Sequence, residues 1–128
     1  MPEWKEKLIQ KAELAQFLLD TSNPEKLINY FISNYIHTIV DDVCKINENF
    51  YSIQRGDAQT KIKIVNEEIL IINEDGFVEF FKLDKSKDAW NVILKVLFEN
   101  SIPKVRKDIF LPDLSKKDFE NVMEEVFK

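Results

Sequence analysis

The segment TKIKIVNEEILIINEDGFVEFFKL, residues 60–83, decides the fold class of this chain. It holds three runs, 60–65, 68–73 and 77–83, that are rich in β-branched and aromatic residues, which is typical of β-strands. The connectors NE and EDG are so short that neighbouring strands must be antiparallel. Asp75-Gly76 is the strongest hairpin signal. With NFYSIQR at 49–55, the segment predicts a four-stranded antiparallel β-meander.

The strands differ in how many apolar faces they present. Residues 60–65 place Ile62 and Ile64 on one face and Lys61 and Lys63 on the other, which predicts one wet face. The runs at 68–73 and 77–83 are apolar on both faces. We therefore expect strands three and four to be covered on both sides, by helices or by a second protomer.

Two helices are predicted before the meander. Residues 3–19 carry one apolar stripe at steps of three and four residues, formed by Trp4, Leu8, Ala12, Ala15 and Leu19. Ser22 or Asn23 caps a second helix, which runs to about residue 45. Its expected core face is Ile28, Ile32, Ile36 (or Tyr35), Ile39, Val43 and Ile46, widened by Leu27 and Phe31.

Two more helices are predicted after the meander. The third helix begins at Asp84 or Ser86, with a stripe of Trp90, Ile93, Leu94, Leu97 and Phe98. Residues 100–114 are irregular, with room for an edge strand near 109–111. Ser115 and Asp118 form a capping box for the last helix, whose stripe is Phe119, Val122, Met123, Val126 and Phe127. The prediction is one α+β domain, 1–128: two N-terminal helices, a four-stranded antiparallel meander, and two C-terminal helices packed on the sheet.

Composition limits the class of protein. Of 128 residues, 45% are hydrophobic and 32% are charged, which is globular composition. No apolar run reaches the roughly 18 residues of a membrane span, and the N-terminal residues lack a signal-peptide core. A single cysteine excludes an internal disulfide, so we expect a cytoplasmic protein. Abundant Lys, Ile and Asn, with little Ala, Gly and Arg, indicate an AT-rich bacterial or phage genome.

The segment ISNYIHTIVDDVC, residues 32–44, offers the one constellation that resembles a catalytic site. Ser33, His37 and Asp41 share a helix column, but a helix interior provides no free N–H groups for an oxyanion hole. His37, Asp41 and Cys44 lack the further ligand from a second element that zinc requires. We interpret the stretch as an exposed polar stripe. No catalytic residue, metal or cofactor is predicted, and the chain is not expected to be an enzyme.

The acidic residues suggest a binding surface. The net charge is −5, and alternate turns of a meander lie at the same end of the sheet. Asp57, Glu74 and Asp75 therefore share one end, and Glu67 and Glu68 lie at the other. Such rims suit a basic partner surface. Phe80 is added as a predicted contact because the apolar surface of the sheet is larger than four helices cover. The residues predicted to contact a partner are Asp57, Glu67, Glu68, Glu74, Asp75 and Phe80.

The basic residues are fewer. Lys104, Arg106 and Lys107 form the one basic cluster, a candidate contact for phosphate or for an acidic partner. The acidic balance argues against a general nucleic-acid binder. The RGD sequence at 55–57 is interpreted as turn chemistry.

These features favour a small acidic protein that acts by binding another protein, such as an inhibitor, an immunity-type protein or a phage- or plasmid-encoded antagonist. Two alternatives stay open. One is a small-ligand sensor with an apolar pocket between helices and sheet, and the other is a DNA-associated regulator that uses the 104–107 loop. A homodimer is compatible with each of them, and no membrane association is expected.

Overall fold

The computed structural model describes residues 2–128. Within that range the chain forms three long helices and one six-stranded antiparallel sheet. Helix α1 is Glu3–Asp20, and helix α2 comprises Pro24–Phe31, a π-helical turn Ile32–Ile36 and His37–Ile46. After a 3₁₀ turn, Glu48–Phe50, the strands are β1 Tyr51–Arg55, β2 Gln59–Ile64, β3 Glu67–Glu74, β4 Phe77–Asp84, β5 Ala89–Glu99 and β6 Ile102–Val105. Helix α3 is Lys116–Phe127.

The predicted meander is confirmed for β1 to β4. These strands are neighbours in chain order and antiparallel throughout. The β3–β4 hairpin turns at Asp75-Gly76, where Gly76 has φ +85, a left-handed conformation that glycine adopts without steric cost. The strong local turn signal therefore fixed the register of the central hairpin.

The sheet has six strands, and the prediction of four was wrong. The segment expected to form a third helix is strand β5, which pairs with β4 from Phe77↔Leu97 to Asp84↔Ala89. Apolar residues at three- and four-residue steps predict a helix, but they also occur in a strand that is apolar on both faces. A β-bulge opposite Phe80 and Phe81 further shifts the alternation of faces along β5. The edge strand also lies at β6 rather than at 109–111, where only Lys107 and Phe110 form an isolated bridge. Helices α1 and α2 both precede the strands, and only one helix, α3, follows them, so the prediction of two C-terminal helices was wrong.

One face of the sheet carries the core. Ile62, Ile69 and Ile71 on the central strands are fully or almost fully buried against α2 and α3. Between the layers, the Phe31 ring packs edge-on against Phe80 at 4.9 Å between centroids. This aromatic cluster fills the space between helices and sheet; its members are Phe17, Tyr30, Phe31, Tyr35, Phe80 and Phe119.

No helix within residues 2–128 covers the opposite face of the sheet, so β3 and β4 are not covered on both sides by this chain alone. Cover by a second protomer stays a prediction. Leu70 and Phe81 pair across β3 and β4 on this face and are half-buried. Long charged side chains shield part of it, because Lys61 lies over the Trp90 ring and Lys95 over the Phe77 ring. Aliphatic lysine stems thus reduce the exposure of apolar surface while their charges stay in water.

Helix α2 largely follows its prediction. Asn23 caps it by accepting from the Lys26 N–H at 2.9 Å, and Pro24 occupies the first turn. The expected core residues from Leu27 to Ile36 are buried, whereas Ile46 is 81% exposed and was wrongly assigned to the core. The π-helical turn keeps both Tyr35 and Ile36 against the core, where the prediction had to choose between them.

Candidate functional site

Helix α1 presents an uncovered apolar surface. The predicted stripe exists, but it faces solvent instead of the sheet: Trp4 is 68% exposed, Leu8 60% and Leu19 61%. We call Trp4, Leu8, Ala12, Ala15 and Leu19 the α1 apolar face. Large apolar side chains grouped on one helix face and left in water mark an interaction surface more strongly than scattered ones do.

The helix docks by its other side, through its last turn. Residues 3–16 are exposed, and Phe17 is the one fully buried residue of α1. Its ring lies edge-on to Tyr30 at 5.2 Å and to Phe119 at 6.2 Å. The buried Thr21 hydroxyl donates to the Phe17 carbonyl at 2.8 Å, which fixes the chain as it leaves the helix. Because Phe17 is roughly 200° around the helix from Ala15, anchoring it points the α1 apolar face outward.

The sequence did contain a signal for this arrangement. Phe17 lies among polar residues, on the opposite side from the predicted stripe. A helix with a large aromatic residue on each side has two candidate inward faces. The stripe has more apolar members than the side that carries Phe17, so the pattern alone favours the stripe as the inward face. Its residues were thus missed as a surface, although the helix and the stripe themselves were identified.

The predicted acidic rim at one end of the sheet lies where the meander places it. Asp57 is in the β1–β2 loop, and Glu74 and Asp75 are at the β3–β4 hairpin; all three are exposed. The two loops are joined by the Asn73 N–H, which donates to the Ala58 carbonyl at 2.8 Å. Within residues 2–128, none of these three carboxylates takes part in a salt bridge.

The acids at the opposite end are engaged within the chain. Glu67 pairs with Lys85 at 3.5 Å, and Glu68 pairs with Lys61 at 3.5 Å. Asp84 accepts from the Ser86 hydroxyl at 2.7 Å, and this hydrogen bond holds the pKa of the carboxyl below its usual range. This end therefore presents less free negative charge than the sequence suggested.

Phe80 is not available to a partner. Its side chain is fully buried on the helix-covered face, between Phe31 and Phe119. The prediction that Phe80 contacts a partner depended on an apolar sheet surface larger than four helices cover. In the structure it is the opposite face of β4, with Phe77 and Phe81, that remains partly exposed.

The basic cluster is partly neutralised. Lys104 pairs with Asp113, and Lys107 lies 3.8 Å from Asp118. Arg106 is exposed, and its backbone N–H donates to the Lys95 carbonyl at 3.1 Å. A narrow hairpin follows these residues, with Ile109 98% exposed at its tip. Among the described residues, Arg106 is therefore the one cation of this cluster without a carboxylate partner. The predicted contact with phosphate depends on it.

The polar stripe of α2 has the character that the sequence predicted. Ser33, His37 and Asp41 are exposed, and Cys44 is half-buried and free. Within the described residues, no group of three or more His, Cys, Asp and Glu is placed to hold a metal ion. Nearby, burial against the aromatic cluster raises the pKa of Tyr35 to about 12, helped by the neighbouring Tyr30 and Glu120.

Two hollows of the surface have enough polar lining to be considered as ligand sites. A groove of about 680 Å³ runs between β5, the hairpin after β6 and α3; Lys95, Arg106 and Asp118 are among its lining residues. A smaller hollow of about 280 Å³ lies at the β1–β2 turn, where the Arg55 guanidinium donates to Asn29 at 2.8 Å. Both mix cations with carboxylates, so neither shows a preference for one charge of ligand.

Comparisons with known proteins give no relative from which function could be transferred. No family model, no curated protein and no solved structure matches this chain. In the part of the chain that the structure describes, no helix combines the length and apolarity needed to cross a membrane. Function is therefore inferred from surface geometry.

Proposed function

We propose that this chain acts by binding protein, and that the α1 apolar face is its principal contact surface. The observation that supports the proposal is the outward orientation of Trp4, Leu8 and Leu19 on a helix anchored only at its last turn. Amphipathic helices of this kind bind by laying spaced apolar side chains into an apolar groove. Tryptophan is also one of the residue types that supply most of the binding energy when an interface buries them.

The composition of the face suits a close helix contact. Ala12 and Ala15 lie at its middle and Leu8 and Leu19 toward its ends. Small side chains in the centre let a second element approach the α1 backbone, while the larger ones fill space on either side. Burying the three large side chains of this face contributes about 1.5–3 kcal/mol each before the entropic cost of association.

The free carboxylates of Asp57, Glu74 and Asp75 support a secondary role in recognition. Unpaired exposed charges accelerate association with a surface of opposite charge more than they strengthen the final complex. A basic partner surface thus remains part of the proposal.

The experiment compares three immobilised proteins in an extract of cells that naturally produce this chain. Leu8→Glu places a charge in the α1 apolar face, and Gln10→Glu places the same side chain on the other side of the same exposed helix. We expect wild type and Gln10→Glu to retain the same protein, including any further copy of this chain, and Leu8→Glu to lose it. Equal retention by Leu8→Glu would show that the α1 apolar face is not the contact.

A second arm examines the acidic rims. Reversing Glu74 and Asp75 to lysine is compared with reversing Glu67 and Glu68, because only the first pair lacks a cation partner within the described residues. We expect reversal of Glu74 and Asp75 to slow association with the partner and to weaken the dependence of the association rate on salt. Reversal of Glu67 and Glu68 should change the rate less. If reversal of all four residues leaves the association rate unchanged, the acidic rims do not guide the partner.

A further inference from the structure

The hollow of about 280 Å³ at the β1–β2 turn lies on the helix-covered side of the sheet. Arg55 of β1 and Thr60 of β2 are directly opposite each other, and such a pair in an antiparallel sheet has both side chains on one face. The Arg55 guanidinium donates to Asn29 of α2, so this face is the one beneath the helix. Ile28 of α2 is 5% exposed and supplies an apolar wall. The hollow therefore lies between the edge of the sheet and the first turns of α2.

The Thr60 hydroxyl is a buried polar group that the fold does not use. Thr60 is 3% exposed, and its hydroxyl takes part in no hydrogen bond within residues 2–128. Buried hydroxyls normally have a partner. Among the described residues, every side-chain polar atom that is fully sealed from solvent does have one, so the Thr60 hydroxyl is not sealed. Because Thr60 lines the hollow, this hydroxyl opens into it and is accessible to a bound molecule.

Charges of both signs border the same hollow. Glu25 comes from the first turn of α2, and Asp57 comes from the β1–β2 loop. Within residues 2–128, none of Glu25, Arg55 and Asp57 forms a salt bridge. The Arg55 guanidinium has five N–H donors, of which one is bonded to Asn29. Two carboxylates and most of a guanidinium thus remain available around one small cavity.

We propose that this hollow binds a small zwitterion of the amino-acid class. The carboxylate of the ligand accepts from the Arg55 guanidinium and the Thr60 hydroxyl, which are neighbours across β1 and β2. Its ammonium group lies toward Glu25 and Asp57, which are exposed at the rim. The volume is just below the roughly 300–1,000 Å³ of sites for drug-sized molecules, so the ligand is small.

A ligand with a single charge fits this hollow less well. An anion would be repelled by Glu25 and Asp57, and a cation would be repelled by Arg55, whereas a zwitterion gives each charge a partner of opposite sign. No residue of α1 lines the hollow. The proposal is therefore independent of the binding role of the α1 apolar face.

The first experiment follows the backbone amide signals of the isotope-labelled wild-type chain by NMR. Each common L-amino acid is added over about 10 μM to 10 mM, and the best-binding one is compared with its deaminated carboxylate and its decarboxylated amine. We expect saturable shifts at residues 55–60 and at Asn73, with the amino acid binding more tightly than either single-charge analogue. The absence of a saturable shift with any amino acid overturns the proposal. Equal binding of either analogue also overturns it.

The second experiment titrates the best-binding amino acid into Thr60→Val, Arg55→Gln and the control Lys63→Gln. Thr60→Val removes a hydrogen bond to a charged group and should weaken binding about tenfold, and Arg55→Gln should weaken it at least as much. Lys63→Gln removes a positive charge from the opposite face of β2 and should bind like wild type. Circular dichroism checks each fold, and Thr60→Val should be as stable as wild type because its hydroxyl has no partner in the fold. Undiminished binding by either site variant overturns the assignment of the site.

The third experiment tests the ammonium end with the double variant Glu25→Gln and Asp57→Asn. We expect it to bind the amino acid less tightly than wild type does. It should bind the deaminated carboxylate at least as tightly as wild type, because two repelling charges have been removed. Unchanged affinity for the amino acid would show that these carboxylates do not hold an ammonium group, and the ligand would then not be a zwitterion.

Discussion

Replacing adjacent phenylalanines of β4 measures whether the sheet is covered on one face or on two. Phe80 is fully buried beneath the helices, and its neighbour Phe81 is half-buried on the opposite face. Truncating a buried phenylalanine to alanine costs about 3–5 kcal/mol, which includes loss of the edge-on contact with Phe31. Half-burial without a packed layer above it corresponds to about 1 kcal/mol, because complete burial contributes only about 1.5–3 kcal/mol.

The assay is urea unfolding of wild type, Phe80→Ala and Phe81→Ala, followed by circular dichroism. With an m value of about 2 kcal/mol/M, Phe80→Ala should lower the midpoint by about 2 M and Phe81→Ala by about 0.5 M. Domains of this size are stable by only about 5–15 kcal/mol, so Phe80→Ala also leaves a much smaller margin against unfolding. Equal losses for the two variants would refute the one-sided sheet and indicate that another surface covers Phe81 in solution. The measurements should be repeated at two protein concentrations, because a second copy on that face would make the Phe81→Ala loss concentration-dependent.

Three further predictions concern the helices. His37→Ala should change the free energy of unfolding by less than about 0.5 kcal/mol, because His37 is exposed. Ile39→Asp should lower it by at least about 2 kcal/mol, because a carboxylate would lie against the edge of the core. Chemical denaturation of both variants measures the two changes. Tyr35→Phe should remove the last-titrating phenol from the alkaline near-UV absorbance titration. Between pH 10, the ordinary tyrosine pKa, and about pH 12, the folded chain binds more protons than the unfolded chain. The free energy of unfolding therefore falls as pH rises through this window, and it should fall less in Tyr35→Phe. Ser115→Ala should cost about 1 kcal/mol by removing one half of the capping box with Asp118, and a thermal shift would measure it; no loss would mean that the cap does not support α3.

The protein divides its surface between an apolar helix and charged sheet ends. The α1 apolar face provides contact area, and the carboxylates of Asp57, Glu74 and Asp75 stay free at a different part of the molecule.

Local sequence determined the elements whose signals are short-range. The Asp75-Gly76 turn, the alternation of Ile62 and Ile64 with lysines, and the Ser115 capping box each act within a few residues. For the same reason α3 and the first part of α2 follow their predictions. The polar stripe of α2 was also placed outward, since its buried neighbours lie on the other side of the same helix.

Only the tertiary structure decided the identity of β5 and the orientation of α1. Residues 89–99 are apolar at spacings that suit both a helix and a two-sided strand, and the open edge of β4 settles the choice by supplying backbone hydrogen-bond partners along its whole length. In α1 the stripe and Phe17 are competing inward faces, and the aromatic cluster around Phe119 selects Phe17. A local pattern fixes the period of a segment, but which side becomes buried depends on the surface it meets, and that surface is built by residues far away in the chain.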